Sequence, residues 1–174
     1  MDFCKLHIIL HYAAIFTEGE FPVYAIGKIG NDAVGNRVKN LMGKAGISTE
    51  FVKIEKEART MYSLCYMYPD GDGGNITSGN SASHLITEDD INTFFTQIKS
   101  SQRGIVLAAS EVPVSIRLYL LRIGCERGFY NVASVSMSEV KTFWIEGYFH
   151  IFIFWLLIKA RWNVFYAYMA VKTP

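Results

Sequence analysis

Glu111 is the most informative residue in this chain. It follows an apolar run, Ile105 to Ala109, and precedes Pro113 and a helix-like pattern. That setting places it at the carboxyl end of a strand, the edge at which open α/β sheets bind their ligands. A carboxylate there can accept hydrogen bonds from sugar hydroxyls. The same position also suits a solvated acid at a helix start, where the helix dipole favours negative charge. Asn131 stands early in the next apolar run, "FYNVAS", and the same edge reasoning applies to it more weakly.

Other spacings suggest sites and fail on detail. "VYAIGKIGNDAVGNRV" runs from a strand-like segment through glycines into a helix-like one. Gly27, Gly30 and Gly35 are too widely spaced for a dinucleotide fingerprint, and no Gly-Lys-Ser/Thr completes a phosphate loop. A helix N-terminus can hold an anion through its free N–H groups, yet the stretch reads first as a structural turn. Asp70 and Asp72 in "PDGDGG" invite a calcium loop. Counted from Asp70, position six is Asn75 where glycine is required, and position twelve is Ser81 where glutamate is required. A hairpin turn is the better account. His7 and His11 are four apart, as in a helical zinc pair, but neither an intervening Glu nor a third ligand accompanies them, so no metal is assigned. Asn75-Ile76-Thr77 is a formal glycosylation sequon, with meaning only in a secreted protein. No Ser/His/Asp or Cys/His set converges in the sequence.

The elements that would position these residues alternate between two periods from Phe21 to about Val140. Val23 to Ile29 reads as a buried strand. Asp32 is the expected N-cap of a helix whose stripe is Val34, Val38, Leu41, Met42 and Ala45, closed by Gly46 in a left-handed cap. Phe51 to Ile54 is a short strand. Thr60 to Tyr68 is a longer one, apolar at nearly every position, and is expected to be covered on both faces. Thr87 and Asp90 approximate a capping box ahead of Ile91, Phe94, Phe95 and Ile98. Pro113 suits the first turn of a helix carrying Ile116, Leu120, Leu121 and Cys125, which Gly128 ends. Phe129 to Val135 is the next strand. Strands and helices alternating in this way predict an α/β layered, at least partly parallel sheet.

Composition narrows the function classes. At 174 residues, 51% hydrophobic and 19% charged, the chain can bury a core and is not a disordered sequence. A net charge of +1 without a basic block argues against nucleic acid as a partner. Cys4, Cys65 and Cys125 are odd in number and far apart, which reads as reduced thiols in a cytoplasmic protein. The apolar start, "MDFCKLHIILHYAAIF", has balanced charge and no small-residue cleavage site. It is read as a strand or helix of a soluble domain, not a signal peptide. After Lys141 the character changes, with eleven of the 25 aromatic residues in the segment from Thr142 to Pro174. "YFHIFIFWLLI", Tyr148 to Ile158, is half the roughly 20 residues a membrane span needs. A buried or interfacial helix is expected there, and a membrane partner is not.

In order and spacing these pieces resemble the middle of a PfkB-type, ribokinase-like carbohydrate kinase. "AIGKIGNDAVGNRVKNLMGKAGI" is similar to that family's Gly-x-x-Gly-Asp-Asp-x-x-Gly turn and the helix after it. "ISTEFV" and "ARTMYSLCYMYPDGDGG" resemble the next strand and a hairpin that begins with a threonine, here Thr60. "SGNSASHLITEDDI" resembles a Gly-Ala-Asn-x-x-Leu-x-x-Glu-Asp segment, "VLAASEVP" a strand ending in Glu-x-Pro, and "GFYNVAS" a strand ending in Asn-Pro-Ala. The match divides the chain into a divergent segment 1–20, a partial kinase domain 21–141 and an aromatic-rich tail 142–174 unlike the family.

The resemblance implies a partial ribokinase-like three-layer α/β/α core with part of a β lid. It implies transfer of the ATP γ-phosphoryl, with Mg²⁺, to a sugar or nucleoside hydroxyl. It assigns Glu111 and Asn80 to the substrate and Asn131 to the ATP side. The family's base is an aspartate in a late Gly-Ala-Gly-Asp loop, whereas no aspartate follows Asp90 here and only Gly147 follows Gly128. The Gly-Gly-x-x-x-Asn-x-Ala substrate motif is also missing, the first glycine being Gly19. No catalytic residue is therefore assigned, and the chain is expected to be an inactive sugar-kinase fragment. A parallel sheet with bare faces and edges also points to an oligomer or a partner. The alternatives are a non-catalytic sugar-binding or subunit-pairing module, and a small membrane-associated protein.

Overall fold

The computed structural model describes residues 5–98, 104–136, 138–146 and 152–154. The chain divides into two compact units, residues 1–66 with 74–99, and residues 67–73 with 100–174. In the first unit, helix α1 (Lys5–Phe16) precedes two short parallel pairs. Strand β1 (Val23–Tyr24) pairs with β3 (Ile47–Ser48), and β2 (Gly27–Gly30) pairs with β4 (Val52–Glu55). The run expected as one strand from Val23 to Ile29 is thus broken between Tyr24 and Gly27, and each half finds its own partner. Helix α2 (Ala33–Lys44) makes the crossover between the two strands of each pair. Asp32 caps it, and Gly46 closes it at φ 80°.

Apolar burial holds these elements together. Ala25, Ile29, Met42, Ile47 and Val52 form one buried cluster, against which Leu10, Ala14, Val23, Val38 and Ala45 pack. Each large member contributes about 1.5–3 kcal/mol by leaving water. Of the expected α2 stripe, Met42 is buried and Val34 is exposed. Helix α3 (Glu88–Gln97) follows a 3₁₀ turn, Ala82–Leu85, and buries Ile91, Phe94 and Phe95. The Phe94 ring meets Phe51 and Tyr24 edge-on, with centroids 5.0 and 5.5 Å apart.

Strands β5 (Ser63–Met67) and β6 (Gly73–Thr77) form a two-stranded hairpin closed by the Asp70–Asp72 turn. Tyr68 N–H donates to the Asp72 carbonyl at 2.6 Å, and Asp72 N–H to Asp70 Oδ1 at 3.0 Å. The expectation of cover on both faces is overturned here: every residue of β5 is exposed. Its aromatic and aliphatic residues suit a pleated backbone whether or not a third layer covers them.

The second unit carries a parallel sheet in the order β7 (Ile105–Ala108), β8 (Tyr130–Ser134), β9 (Phe152–Phe154). Helix α4 (Val114–Glu126) makes the crossover from β7 to β8, and Gly128 ends it at φ 73°. Helix α5 (Val140–Ile145) lies across the boundary drawn at residue 142. Val106, Ala108, Leu121, Ala133 and Phe143 are buried. The helix expected over Tyr148 to Ile158 is corrected at residues 152–154, which add a strand beside Val132–Ser134. The open edge of β8 offers backbone partners that an aromatic run can satisfy as a strand. The remainder of that stretch lies outside the described residues. Among the described residues no helix is long and apolar enough to cross a membrane.

Candidate functional site

The glycine turn is a latch, built around one carboxylate. Asp32 Oδ1 accepts from Gly35 N–H at 2.7 Å and from the Thr60 hydroxyl at 2.8 Å, while Oδ2 accepts from Thr60 N–H at 2.8 Å. The Thr60 hydroxyl oxygen in turn accepts from Gly30 N–H at 2.9 Å. A side chain at Gly35 would begin 2.6 Å from both the Gly30 carbonyl and the Thr60 hydroxyl, so only glycine allows this approach. Desolvation pushes the Asp32 pKa up, but the N–H groups of Gly35 and Thr60, the Thr60 hydroxyl and Val34 N–H outweigh it and hold it low. Two of the helix's first donors, the N–H groups of Val34 and Gly35, and the root of the hairpin at Thr60 are committed to this group. It is a structural joint and offers no cradle for phosphate.

A second charged cluster docks α3 onto the sheet. Lys28 and Lys53 are register partners on β2 and β4, and both reach Asp90, at 3.4 and 2.6 Å. Lys28 also pairs with Glu55 at 2.8 Å. Asp90 is 5% exposed and completes the capping box, accepting from Thr87 N–H at 2.8 Å and the Thr87 hydroxyl at 2.9 Å. Burial raises its pKa, yet Lys53, the two Thr87 donors and Lys28 together bring it down to about 2. Asn80 is exposed in the bend just before Ser81, whose hydroxyl lies 3.0 Å from both Ser83 Oγ and His84 Nδ1.

In the second unit, Glu111 lies half-buried in the turn after β7, beyond the strand's carboxyl end as expected. The group organising that edge is Arg117, only 2% exposed. Its Nε donates to the Val112 carbonyl at 2.9 Å and its Nη1 to the Ser134 carbonyl at 3.0 Å. Nη2 pairs with Glu139 Oε1, and the guanidinium carbon stands 5.4 Å from the Phe143 ring centroid. Glu139 Oε2 accepts from Ser136 N–H at 2.9 Å. Burial raises the Glu139 pKa, and the Arg117 and Ser136 hydrogen bonds more than reverse that. One fork therefore joins the loop after Glu111, the carboxyl end of β8 and the start of α5.

Asn131 is at the other end of these strands. Its register partner is Val106, the second residue of β7, so the carboxyl-edge reasoning does not extend to it. It is 6% exposed, and its amide N–H groups reach the Leu121 carbonyl at 2.7 Å and Cys125 Sγ at 3.0 Å. Gly124 makes room, because a Cβ there would lie 2.3 Å from Asn131 Oδ1. The amide N–H groups are thus committed to α4, and its Oδ1 is buried beside Gly124. Glu111 and Asn131 belong to one unit and Asn80 to the other.

His7 and His11 stand with ring centroids 5.8 Å apart and, with Ile8, Tyr12 and Leu41, line a cavity of about 260 Å³. Burial, then the neighbouring His11, lowers the His7 pKa. Among the described residues no group of three His, Cys, Asp or Glu side chains is placed to hold a metal ion. Arg117 and Glu139 are what the sequence reading missed. The buried residues of α4 are Arg117, Leu121 and Gly124, spaced i, i+4, i+7, so the stripe expected from Ile116, Leu120, Leu121 and Cys125 is kept only at Leu121.

No family model matches the chain, and no curated protein matches it. Solved structures do, 113 chains of them. A ribokinase of Arabidopsis thaliana complexed with ribose and ATP is 22% identical, covers 73% of this chain and 41% of its own, and superposes with a TM-score of 0.58. A ribokinase of Cryptococcus neoformans in complex with ADP is 19% identical over 82% of this chain and 43% of its own, TM-score 0.60. A fructokinase of Xylella fastidiosa is 15% identical over 74% and 40%, TM-score 0.60. At these identities the likeness is one of fold. The chain has the ribokinase-like α/β fold in part, with part of a β lid, and spans less than half the length of these kinases.

Proposed function

We propose that this chain is part of an ATP-dependent carbohydrate kinase, and that it contributes a sugar-binding edge without transferring a phosphoryl group itself. The observation that carries the reading is the fold shared with ribokinases and a fructokinase across 73–82% of the chain. Glu111 at the carboxyl end of β7 is its substrate acceptor; Asn80, in the first unit, is the other residue that the family resemblance assigns to substrate. ATP and Mg²⁺ belong to the whole kinase. The lack of any aspartate after Asp90 supports inactivity of the chain as given, since phosphoryl transfer depends on positioning the nucleophile and stabilising charge. Three separated thiols suit a cytoplasmic setting.

Thermal-shift and calorimetric titration with ribose, fructose and nucleosides test this reading. Stabilisation by one of them, without ADP formation in the presence of ATP and Mg²⁺, is expected. ATP-dependent turnover that stays with the chain through two columns would overturn it.

A second reading has its own observation. Tyr62, Leu64, Tyr66, Tyr68 and Ile76 are exposed along the hairpin, which suits a module that pairs with another subunit. Sugar-independent association in sedimentation velocity favours it.

A further inference from the structure

We infer that Arg117 is the positioning residue of the Glu111 edge: it fixes where the sugar-facing carboxylate sits while remaining out of reach of any ligand. The inference rests on the sugar-edge reading for its ligand and on independent geometry for its mechanism. Arg117 is 2% exposed, so it cannot be a ligand contact. Its three donor groups go to three chain segments that sequence separates widely: Val112, Ser134 and Glu139. Val112 is the residue next to Glu111, and its carbonyl is held from inside the fold. Ser134 ends β8, the strand beside β7. The distance between the Glu111 turn and the end of β8 is therefore set by one planar guanidinium, whose fork has fixed geometry.

The chemistry explains why an arginine occupies an otherwise apolar position. Loops at a sheet's carboxyl edge leave carbonyls without strand partners, and a buried unpaired carbonyl is costly. Arg117 satisfies two of them and needs a counter-charge, which Glu139 supplies. Glu139 in turn holds Ser136 N–H, so the loop after β8 is bound to the same group. Phe143 closes the stack with its ring face. A leucine in place of Arg117 could fill the volume but could not hold the turn in register with β8.

The test separates positioning from mere support. Removing both members of a buried ion pair in favour of apolar residues is often neutral for stability, so the full chain carrying R117M and E139M together is expected to retain a cooperative melt. Amide hydrogen exchange at residues 110–112 and 134–136 is expected to speed up by about tenfold or more, and affinity for the sugar that stabilises the wild-type chain to fall by a similar factor. Arg117→Lys keeps the charge without the fork and is expected to behave as the double variant does, with fast exchange at the same amides. Should the double variant melt without cooperativity, Arg117→Lys decides by that exchange. Unchanged exchange at 110–112 in a folded variant overturns the inference. If the wild-type chain binds none of ribose, fructose and the nucleosides, the sugar-edge reading fails, and the exchange measurement still decides whether Arg117 holds the Glu111 turn.

Discussion

Removing the Asp32 carboxylate is expected to destabilise the first unit by about 4 kcal/mol, the sum of its bonds at the lower end of their ranges. The figure is worked from the bonds it makes. Losing an N-cap costs about 1 kcal/mol, and here the Gly35 N–H loses its acceptor. Hydrogen bonds to a charged group are worth about 1.5–3 kcal/mol, and Thr60 donates two, one from the backbone and one from the hydroxyl. Thr60 is buried, so water replaces these poorly. Against a total stability of about 5–15 kcal/mol, Asp32→Ala should move a urea midpoint by about 2 M at ordinary m-values. The assay is urea unfolding of the purified chain, followed by circular dichroism, with Thr60→Val and the double variant completing a cycle. A coupling of about 1–2 kcal/mol is expected between the two residues, because they touch. A cost below about 1 kcal/mol for Asp32→Ala, or additive effects in the cycle, would refute the latch.

Three further outcomes follow from the same geometry. Asp90 has a folded pKa near 2 against an ordinary 3.8, so its contribution, roughly 2 kcal/mol, is present above about pH 4 and lost as pH falls toward 2. Asp90→Asn should flatten acid unfolding in that window, and a wild-type-like acid profile would contradict the docking of α3 by Lys28 and Lys53. Leu64→Lys and Tyr66→Lys should reduce self-association in sedimentation velocity, and unchanged sedimentation would exempt the hairpin. Glu111→Gln should weaken sugar affinity by about 1.5–3 kcal/mol in calorimetry, and equal affinity would return Glu111 to a solvated helix start.

Local signals in the sequence were legible where one segment decides its own shape. Asp32, Gly46, Thr87 with Asp90, Pro113 and Gly128 all mark boundaries that the fold keeps, because caps and turns are set by a few neighbouring backbone groups. The motif order also led to the ribokinase-like fold. What sequence did not reveal depends on partners distant along the chain. The exposure of β5 turns on how many layers cover the hairpin, which no property of Ser63–Met67 encodes. The strand at Phe152–Phe154 turns on the free edge of β8. Asn131 looked like an edge residue until register placed it opposite Val106. Arg117 was hidden because a charged residue inside a helical pattern ordinarily faces water, and its three partners are 5, 17 and 22 residues away.

The latch also orders folding in time. Gly30 and Asp32 bond to a threonine 30 and 28 residues further on. Closing such a loop costs entropy before its bonds repay any of it, so the glycine turn is not a local nucleus, despite its compact look in the sequence. Helix α2 and its cap from Gly35 N–H to Asp32 can form early, but the bonds from Thr60 to that carboxylate wait until β4 has docked and Thr60 has arrived. During synthesis, that moment comes only after the stretch through Thr60 has left the ribosome. Until then the turn is an open hinge, and the first unit has its helix before it has the joint that fixes the helix in place.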